Sequence, residues 1–577
     1  MRRSRYLIAA GLTGIVGVML LVFFGKVADS PREAPKIMNE GPPVVAVLPF
    51  DSPDQEYESE FFADGVHDDL LTQLTKLQSI RVISSTSVNE YRNFAGDIRS
   101  IGEELGADAI LEGAVHIAHD RIRINVQLSD VRTGAHLWAE TYDRELSPAN
   151  IFDLRDTIAR AIARSLDAEL TAQDDRQLTI IPTENMAAYQ AFHRAMQMTE
   201  KHFVDYTDPR FREALEEAVE LDPTFSRAWA ELITNLAYVN WSGEYPELNR
   251  RAEQGLETLK AVAPESGDYL LGLAGYVYYA LKDYDRAHDL ISRAMTMNPG
   301  DVRVLEIKSW IERRQGRFDA WLNTLMEARR LDPRNPRWVG WVAHALVTLH
   351  RYDEALAEIE TSRLDSYRID YFRNVLLFRE HRNFGRLQEA MEELCQLHER
   401  ESCGWVAYIG NRDYRGALDS FSQLNGPFQL PVTPTDLQRL LTYWLTNDKD
   451  LVAEWVSHVQ IPLEPAHDAF GNVVGNSAHL AAAILAGLRG NSVESERLVQ
   501  LWFRYSPKDW ADRMFQRQIA CRILGMLAAT DAAVACIRDG LAEPSTVMPF
   551  LEPYLPFYDA LRNDQEFIDM LAEIDGS

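Results

Sequence analysis

The chain has 577 residues, 46% of them apolar and 25% charged, with a formal net charge of −28. That apolar share supports more than one packed core and excludes wholesale disorder. The acidic balance argues against nucleic acid as a partner, because neutralising phosphates takes clustered Lys and Arg; it serves solubility and weakly favours a basic ligand.

In chain order the first signal is Leu7–Phe24, an uncharged stretch preceded by Arg2, Arg3 and Arg5 and followed by Lys26. As a helix it spans about 27 Å, close to the hydrocarbon thickness of a bilayer. The arginines place the N-terminus in the cytosol and everything after Lys26 across the membrane. Residues 1–28 therefore read as a cytosolic stub and transmembrane anchor. A cleaved signal peptide is the competing reading, but Lys26-Val27-Ala28 sets a lysine where a small residue is wanted. Gly11, Gly14 and Gly17 form a small-residue stripe that suits either a second helix or an ordinary membrane span. Residues 29–43, with Pro31, Pro35, Pro42 and Pro43, read as an extended linker.

From Val44 the period changes. Val44–Leu48 and Ile80–Ile83 read as buried strands, Phe61–Leu77 and Asp97–Leu105 as helices, the second closed by Gly106. Ala109–Ile117, Arg121–Leu128 and His136–Tyr142 follow as strands, and Phe152–Leu170 as a long helix. Asp64-Gly65 looks like a helix start, and His67-Asp68-Asp69 heads the same predicted helix, where carboxylates complement the macrodipole. Trp138 and Tyr142 share one strand face and are expected to plug a core. His116 and His119 flank a hairpin turn and read as surface residues.

Several words here resemble the TolB-like (FlgO-like) amino-terminal domain: Val45-Ala46-Val47-Leu48-Pro49-Phe50, Phe62-Ala63-Asp64-Gly65, Leu111-Glu112-Gly113-Ala114-Val115, Leu128-Ser129-Asp130 and Gly134-Ala135-His136-Leu137-Trp138-Ala139-Glu140-Thr141-Tyr142-Asp143-Arg144. The likeness covers residues 44–145. It implies a non-catalytic module of a bacterial envelope that makes protein contacts. The loop Asp51-Ser52-Pro53-Asp54 is shorter than the family's usual version. Relatives of this arrangement often carry a cyclase or winged helix ahead of the membrane segment; neither is expected here.

Next comes a phrase with a period. Asp283-Tyr284-Asp285-Arg286-Ala287, Arg317-Phe318-Asp319-Ala320-Trp321 and Arg351-Tyr352-Asp353-Glu354-Ala355 place their aromatics 34 and 34 residues apart, with echoes at Phe384 and Tyr414. Pro264, Pro299 and Pro333 keep the same phase, and Pro223 precedes them with a surplus that fits an insertion near Trp241–Leu248. Residues 268–301 resemble a tetratricopeptide repeat: Gly275 and Ala287 fall where the family packs its two helices closest, and Leu271, Tyr278, Ile291, Ala294 and Pro299 on other signature positions. The next unit departs from that pattern with Ser309, Glu312 and Trp321. The resemblance implies stacked helical hairpins that hold partners on a curved surface. Helical patterns continue after Ala417, and the ending Pro553–Phe567 reads as a cap.

The expected fold class is thus α+β: a transmembrane helix, a small α/β domain of order βαβαβββα with its connecting helix over 44–170, tetratricopeptide repeats over 185–420, and degenerate repeats with a cap over 421–577. No phosphate loop, dinucleotide fingerprint or hydrolase motif occurs, so no catalytic, cofactor-binding or metal residues are expected. Cys395 and Cys403 flank one predicted turn, Cys521 and Cys536 another; each pair suits a disulfide in an oxidising compartment, against buried free thiols. Zinc at Cys395, His398 and Cys403 lacks a fourth ligand. The sequence points to a non-catalytic scaffold or sensing subunit on the bacterial inner membrane, held by residues 7–24, with its bulk periplasmic. It would bind a protein or peptide, with oligomeric state open. The alternatives are a receptor remnant acting on a separate cytosolic effector, or an enzyme of unknown type.

Overall fold

The computed structural model describes residues 41–52, 57–92, 97–118, 120–171, 174, 182–199, 206–241, 245–397, 404–421, 434–446, 466–467, 473–474, 477–505 and 509–576. The anchor 7–24, His119, Cys403 and parts of the linker and of the 51–54 loop lie outside them. Among the described residues no helix is long and apolar enough to cross a membrane.

The first strand, β1 (Val44–Val47), is buried on both faces, which is why it reads as an unbroken apolar run. Val45 and Val47 face one core, shared with α1 (Tyr57–Leu74) and α4 (Pro148–Ser165). Val44 and Ala46 face the other, shared with α2 (Ser85–Val88) and α3 (Ile98–Leu105). β1 pairs in parallel with β2 (Arg81–Val82) and β3 (Ala109–Ala118); β4 (Arg121–Asp130) and β5 (His136–Glu145) complete the sheet in order β2-β1-β3-β4-β5. On β4, Ile122, Ile124, Val126 and Leu128 go inward. Its outward Arg123 donates to Asp143 on β5 at 2.8 Å, and Arg121 does the same at 2.8 Å. Asp97 caps α3 through Arg99 N at 3.1 Å, and Gly106 closes it with φ +66°. Tyr142 is buried against the α1–α4 core and Trp138 half-buried beside it, their rings 6.5 Å apart.

Two expectations for α1 are corrected. The helix begins at Tyr57, so Asp64-Gly65 is no helix start and His67-Asp68-Asp69 lies mid-helix. Asp64 pairs with Arg92 at 2.6 Å. Gly65 is there because the Tyr189 hydroxyl sits 2.9 Å from where a Cβ would stand.

The rest is a run of helical hairpins of tetratricopeptide-like form. They pair α5 (Met186–Thr199) with α6 (Pro209–Leu221), α7 (Ser226–Val239) with α8 (Pro246–Val262), α9 (Gly267–Tyr276) with α10 (Tyr284–Met297), and α11 (Val302–Gln315) with α12 (Phe318–Leu331). Then come α13 (Pro336–Thr348) with α14 (Tyr352–Ser362), α15 (Tyr367–His381) with α16 (Phe384–Leu397), and the short α17 (Trp405–Gly410) with α18 (Tyr414–Asp419). Beyond α19 (Pro434–Thr446) and the small ribbon β6 (Ala466–His467) with β7 (Val473–Val474), α20 (Ser477–Leu488) pairs with α21 (Ser492–Arg504) and α22 (Trp510–Met526) with α23 (Thr530–Ala542). Two 3₁₀ turns and α24 (Gln565–Gly576) cover the end, with Phe557, Tyr558, Leu561 and Phe567 buried in the last core.

The repeated phrase turns out to be the hairpin turn itself. Lys282, Gly316, His350, Arg382 and Arg412, each two residues before the recurring aromatic, all have positive φ. The residue after the turn donates backward in a Schellman closure: Arg317 N to Glu312 O at 2.9 Å, Arg351 N to Leu346 O at 2.8 Å, Asp413 N to Tyr408 O at 2.9 Å. The aromatic then opens the second helix. The prolines stand just past the ends of α6, α8, α10 and α12. One detail differs from expectation: at Gly275 the close approach is to the preceding hairpin. A Cβ there would lie 2.5 Å from Thr234 Oγ1 on α7, and one at Gly272 would lie 3.1 Å from Ala230 Cα. The missing side chains let α9 nest closely against α7 while its apolar face packs on its own partner α10.

The sheet domain and the hairpins belong to one unit, Pro43–Ser577. At one seam Tyr189 on α5 donates to Asp69 Oδ2 at 2.6 Å, and His193 lies 3.6 Å from Asp68 and 3.8 Å from Asp69. At the other, Ser84 N donates to Leu331 O at 2.7 Å and Gly300 N to Thr75 O at 3.0 Å. There the buried Asp332 carboxylate accepts from Ser87 at 2.6 Å, Asn335 at 2.8 Å and Trp338 at 2.9 Å. Arg334 adds ion pairs to Glu90 at 2.8 Å and Glu104 at 2.7 Å.

Gly275→Leu is expected to cost at least ~1–3 kcal/mol, since α9 and α7 cannot part without opening their shared core; urea unfolding checks it, and a midpoint equal to the parent's rejects the tight crossing. The histidine seam has a pH signature. Burial alone pulls His193 down, but bonds to Asp68 and Asp69 prevail and raise its pKa from 6.5 to about 10. Burial pushes Asp68 up, but hydrogen bonds from His193 and His67 outweigh it and bring it from 3.8 to about 2. A raised histidine stabilises fully below pH 6.5 and loses that contribution as pH rises through about 10; a depressed aspartate contributes fully above pH 3.8 and loses it as pH falls through about 2. Unfolding free energy should therefore decline from pH 6.5 to 10, and less steeply in His193→Gln. Identical slopes would count against the protonated seam.

Candidate functional site

The first helices of successive hairpins line a groove, and the chain bounds that groove with its own later hairpins. Helix α22 packs back on α11 and α19. Asp509, at its N-terminus, accepts from Tyr284 at 2.8 Å and Arg314 at 2.6 Å. Trp510 covers Gly316, where any side chain would collide with the indole, and stacks edge-on against Phe318 at 5.6 Å. What remains between α13, α15, α17, α19, α22 and the segment Thr546–Glu552 is a cavity of about 1030 Å³, open solvent included. His344, Tyr371, Phe372, Trp405, Phe515 and Arg522 are among its walls.

The floor is fixed by a buried ion pair. Arg522 donates two hydrogen bonds to Glu552, at 2.8 and 2.7 Å, and Tyr558 adds a third at 2.9 Å. The guanidinium lies 5.3 Å from the ring centres of Trp405 and Phe557. Trp405 Nε1 donates to Thr442 at 2.8 Å, and Gln518 to Thr546 O at 2.7 Å. Both charges are satisfied, so the pair orders the groove wall without leaving a desolvated ion.

Beside the cavity stands a cation–π ladder. Arg368 lies 3.8 Å over Trp341, and Arg313 lies 5.2 Å from the same ring and 5.5 Å from Trp310. His344 stacks on Trp341 at 5.4 Å. Burial first, then Arg368 and Arg313, hold its pKa well below the usual range, so the ring is neutral. Burial pushes the Tyr371 phenol up to about 12. Neutral imidazole, phenol, amides and stacked guanidinium planes thus face the cavity or stand beside it. Among the described residues no group of three or more His, Cys, Asp or Glu could hold a metal ion.

Cys521 on α22 and Cys536 on α23 are joined in a disulfide, Cα–Cα 5.5 Å, across the turn between these helices. Cys395, near the end of α16, is disulfide-bonded as well; Cys403 lies outside the described residues. Sequence reasoning missed Arg522 and Glu552. The signal was a lone charge inside Ile519-Ala520-Cys521-Arg522-Ile523-Leu524, where an apolar run forces any ion to find a partner.

Comparison with known proteins reaches parts of this architecture. Residues 42–161, the sheet domain through most of α4, match the family described as HilA/YgeH-like transcriptional regulator, second domain. A protein of Rhizobium meliloti (strain 1021) named putative adenylate cyclase 3 is 35% identical over 257 residues, 43% of this chain and 43% of that protein. The match therefore spans less than half of that relative's length. Among solved structures, Pseudomonas aeruginosa PilF aligns at 16% identity with TM-score 0.28 over 40% of this chain and 97% of its own. The Cut9–Hcn1 hetero-tetramer of APC/C aligns at 12% with TM-score 0.38, over 74% and 85%. The chain is thus similar to a transcriptional-regulator domain at its sheet and, by name, to a putative cyclase over part of its length.

Proposed function

We propose that this chain is a non-catalytic scaffold or sensing subunit of a bacterial envelope, tethered through residues 7–24, that receives a protein or peptide segment in the groove between α13, α15, α17, α19 and α22. The TolB-like reading of residues 44–145 and the periplasmic placement belong to the same proposal. The observation that carries it is the groove itself: aromatic faces and amides on a stack of rigid hairpins, arranged for contact area. The groove's local charge runs against the chain's total. Arg368 lines it and Arg313 stands beside it, both over Trp341, while Glu552 cancels Arg522 and the molecule carries −28, so an acidic or aromatic segment suits it better than a basic one.

A second reading, a receptor that acts on a separate effector through its membrane span, is favoured by the name of the Rhizobium relative. Replacing Leu7–Phe24 with polyleucine separates the two: the scaffold keeps its partner and its activity, the receptor loses signalling while remaining folded.

The groove is tested with a photoreactive residue at position 371 or 518 in intact cells. A discrete adduct is expected, and Arg368→Glu should abolish it without lowering the melting temperature. Adducts forming only at positions on α14 or α16, behind the groove, would reject the assignment.

A further inference from the structure

A second cavity lies where the end of α1, α4 and the first hairpins meet. It measures about 1370 Å³ with open solvent included. Its charged groups are matched, with one exception. Arg155 is held by Asp156 at 2.9 Å. Arg227 is held by Asp301 at 3.1 Å, Glu231 at 3.2 Å and Asp268 at 3.7 Å. Arg303 is held by Glu231 at 2.9 Å, and Asp68 and Asp69 by His193 and Tyr189. Lys76 remains. Its Nζ donates to Gln73 Oε1 at 3.2 Å, and among the described residues no carboxylate reaches it within ion-pair distance. Burial brings its pKa down to about 8; Asp268 and Asp156 act from further off to raise it, and Arg155 and Arg227 oppose them. The same cavity is lined in part by apolar side chains, Leu71, Val82, Ile83, Phe192, Met196 and Phe225, beside the polar Thr72, Thr75, Ser84 and Ser85.

We propose that this cleft binds a small organic anion, its carboxylate or phosphate group against Lys76 and its apolar body against Phe192, Met196 and Phe225. The bound anion supplies the counter-charge the fold withholds from Lys76. Because the cleft is walled by α1 and Ile83 on one side and α5, α7 and Val302 on the other, occupancy ties the sheet domain to the hairpins. The site is separate from the groove of α13–α22, so either can fail alone.

Titration calorimetry of the full chain in detergent tests this with three probes: hexanoate, hexan-1-ol and acetate. Hexanoate is expected to bind with one-to-one stoichiometry, and the alcohol and acetate at least about tenfold more weakly, since one lacks the charge and the other the apolar body. Lys76→Met should weaken hexanoate by roughly tenfold or more while leaving the melting temperature about equal, because Lys76 is only partly buried and makes no ion pair that holds the fold. Lys76→Arg should retain binding, and Met196→Asp should weaken it through like-charge repulsion. No saturable heat from hexanoate, equal affinity for hexan-1-ol, or unchanged affinity in Lys76→Met would each overturn the assignment.

Discussion

A two-helix hairpin cannot bury its own apolar face, and this constraint organises most of the molecule. Each pair hides that face only against the next, so identity of shape matters more than identity of residue. Two local devices enforce the shape. From the α9–α10 pair onward a left-handed residue closes the first helix of the pair, and absent side chains on α9 let it nest on α7. Where the phrase loosens, as at α17 and α18, the helices shorten to 6 residues each. The last core is closed by irregular turns and α24.

The repeats were legible because their signal is local. The aromatic and the residues before it specify a turn, and a proline forbids continuation of the helix before it, both within a few positions. The sheet domain was legible for a similar reason: burial on both faces of β1 and alternation on β4 follow from periodicity alone. The misread residues are those whose partners lie far along the chain. Asp64-Gly65 imitates a helix start, yet Gly65 answers to Tyr189, more than a hundred positions on. His67-Asp68-Asp69 looks like dipole chemistry, yet its partner is His193. Asp332 belongs to the Asp-Pro mark of a repeat end, and nothing nearby announces that Ser87 will reach it. Tertiary pairing at such separations leaves no trace in a window of residues.

Charge illustrates the same gap between sum and place. The net figure predicts a taste for basic ligands, while the groove is rimmed by guanidinium planes stacked on indoles. Most of the other cations near the two cavities are committed to carboxylates, which fix helices against one another. What a ligand meets is therefore the small remainder left after internal pairing, and composition cannot count that remainder.

The sheet domain grips the array at three separated points: helix α5, the bend at Gly300, and the bend after α12. A strut fastened across several steps of a spring removes their freedom to stretch or twist. The early hairpins are thus braced against the sheet domain, and the later ones are tied to one another by α22. A change of pitch among the first four pairs would therefore have to break these contacts first.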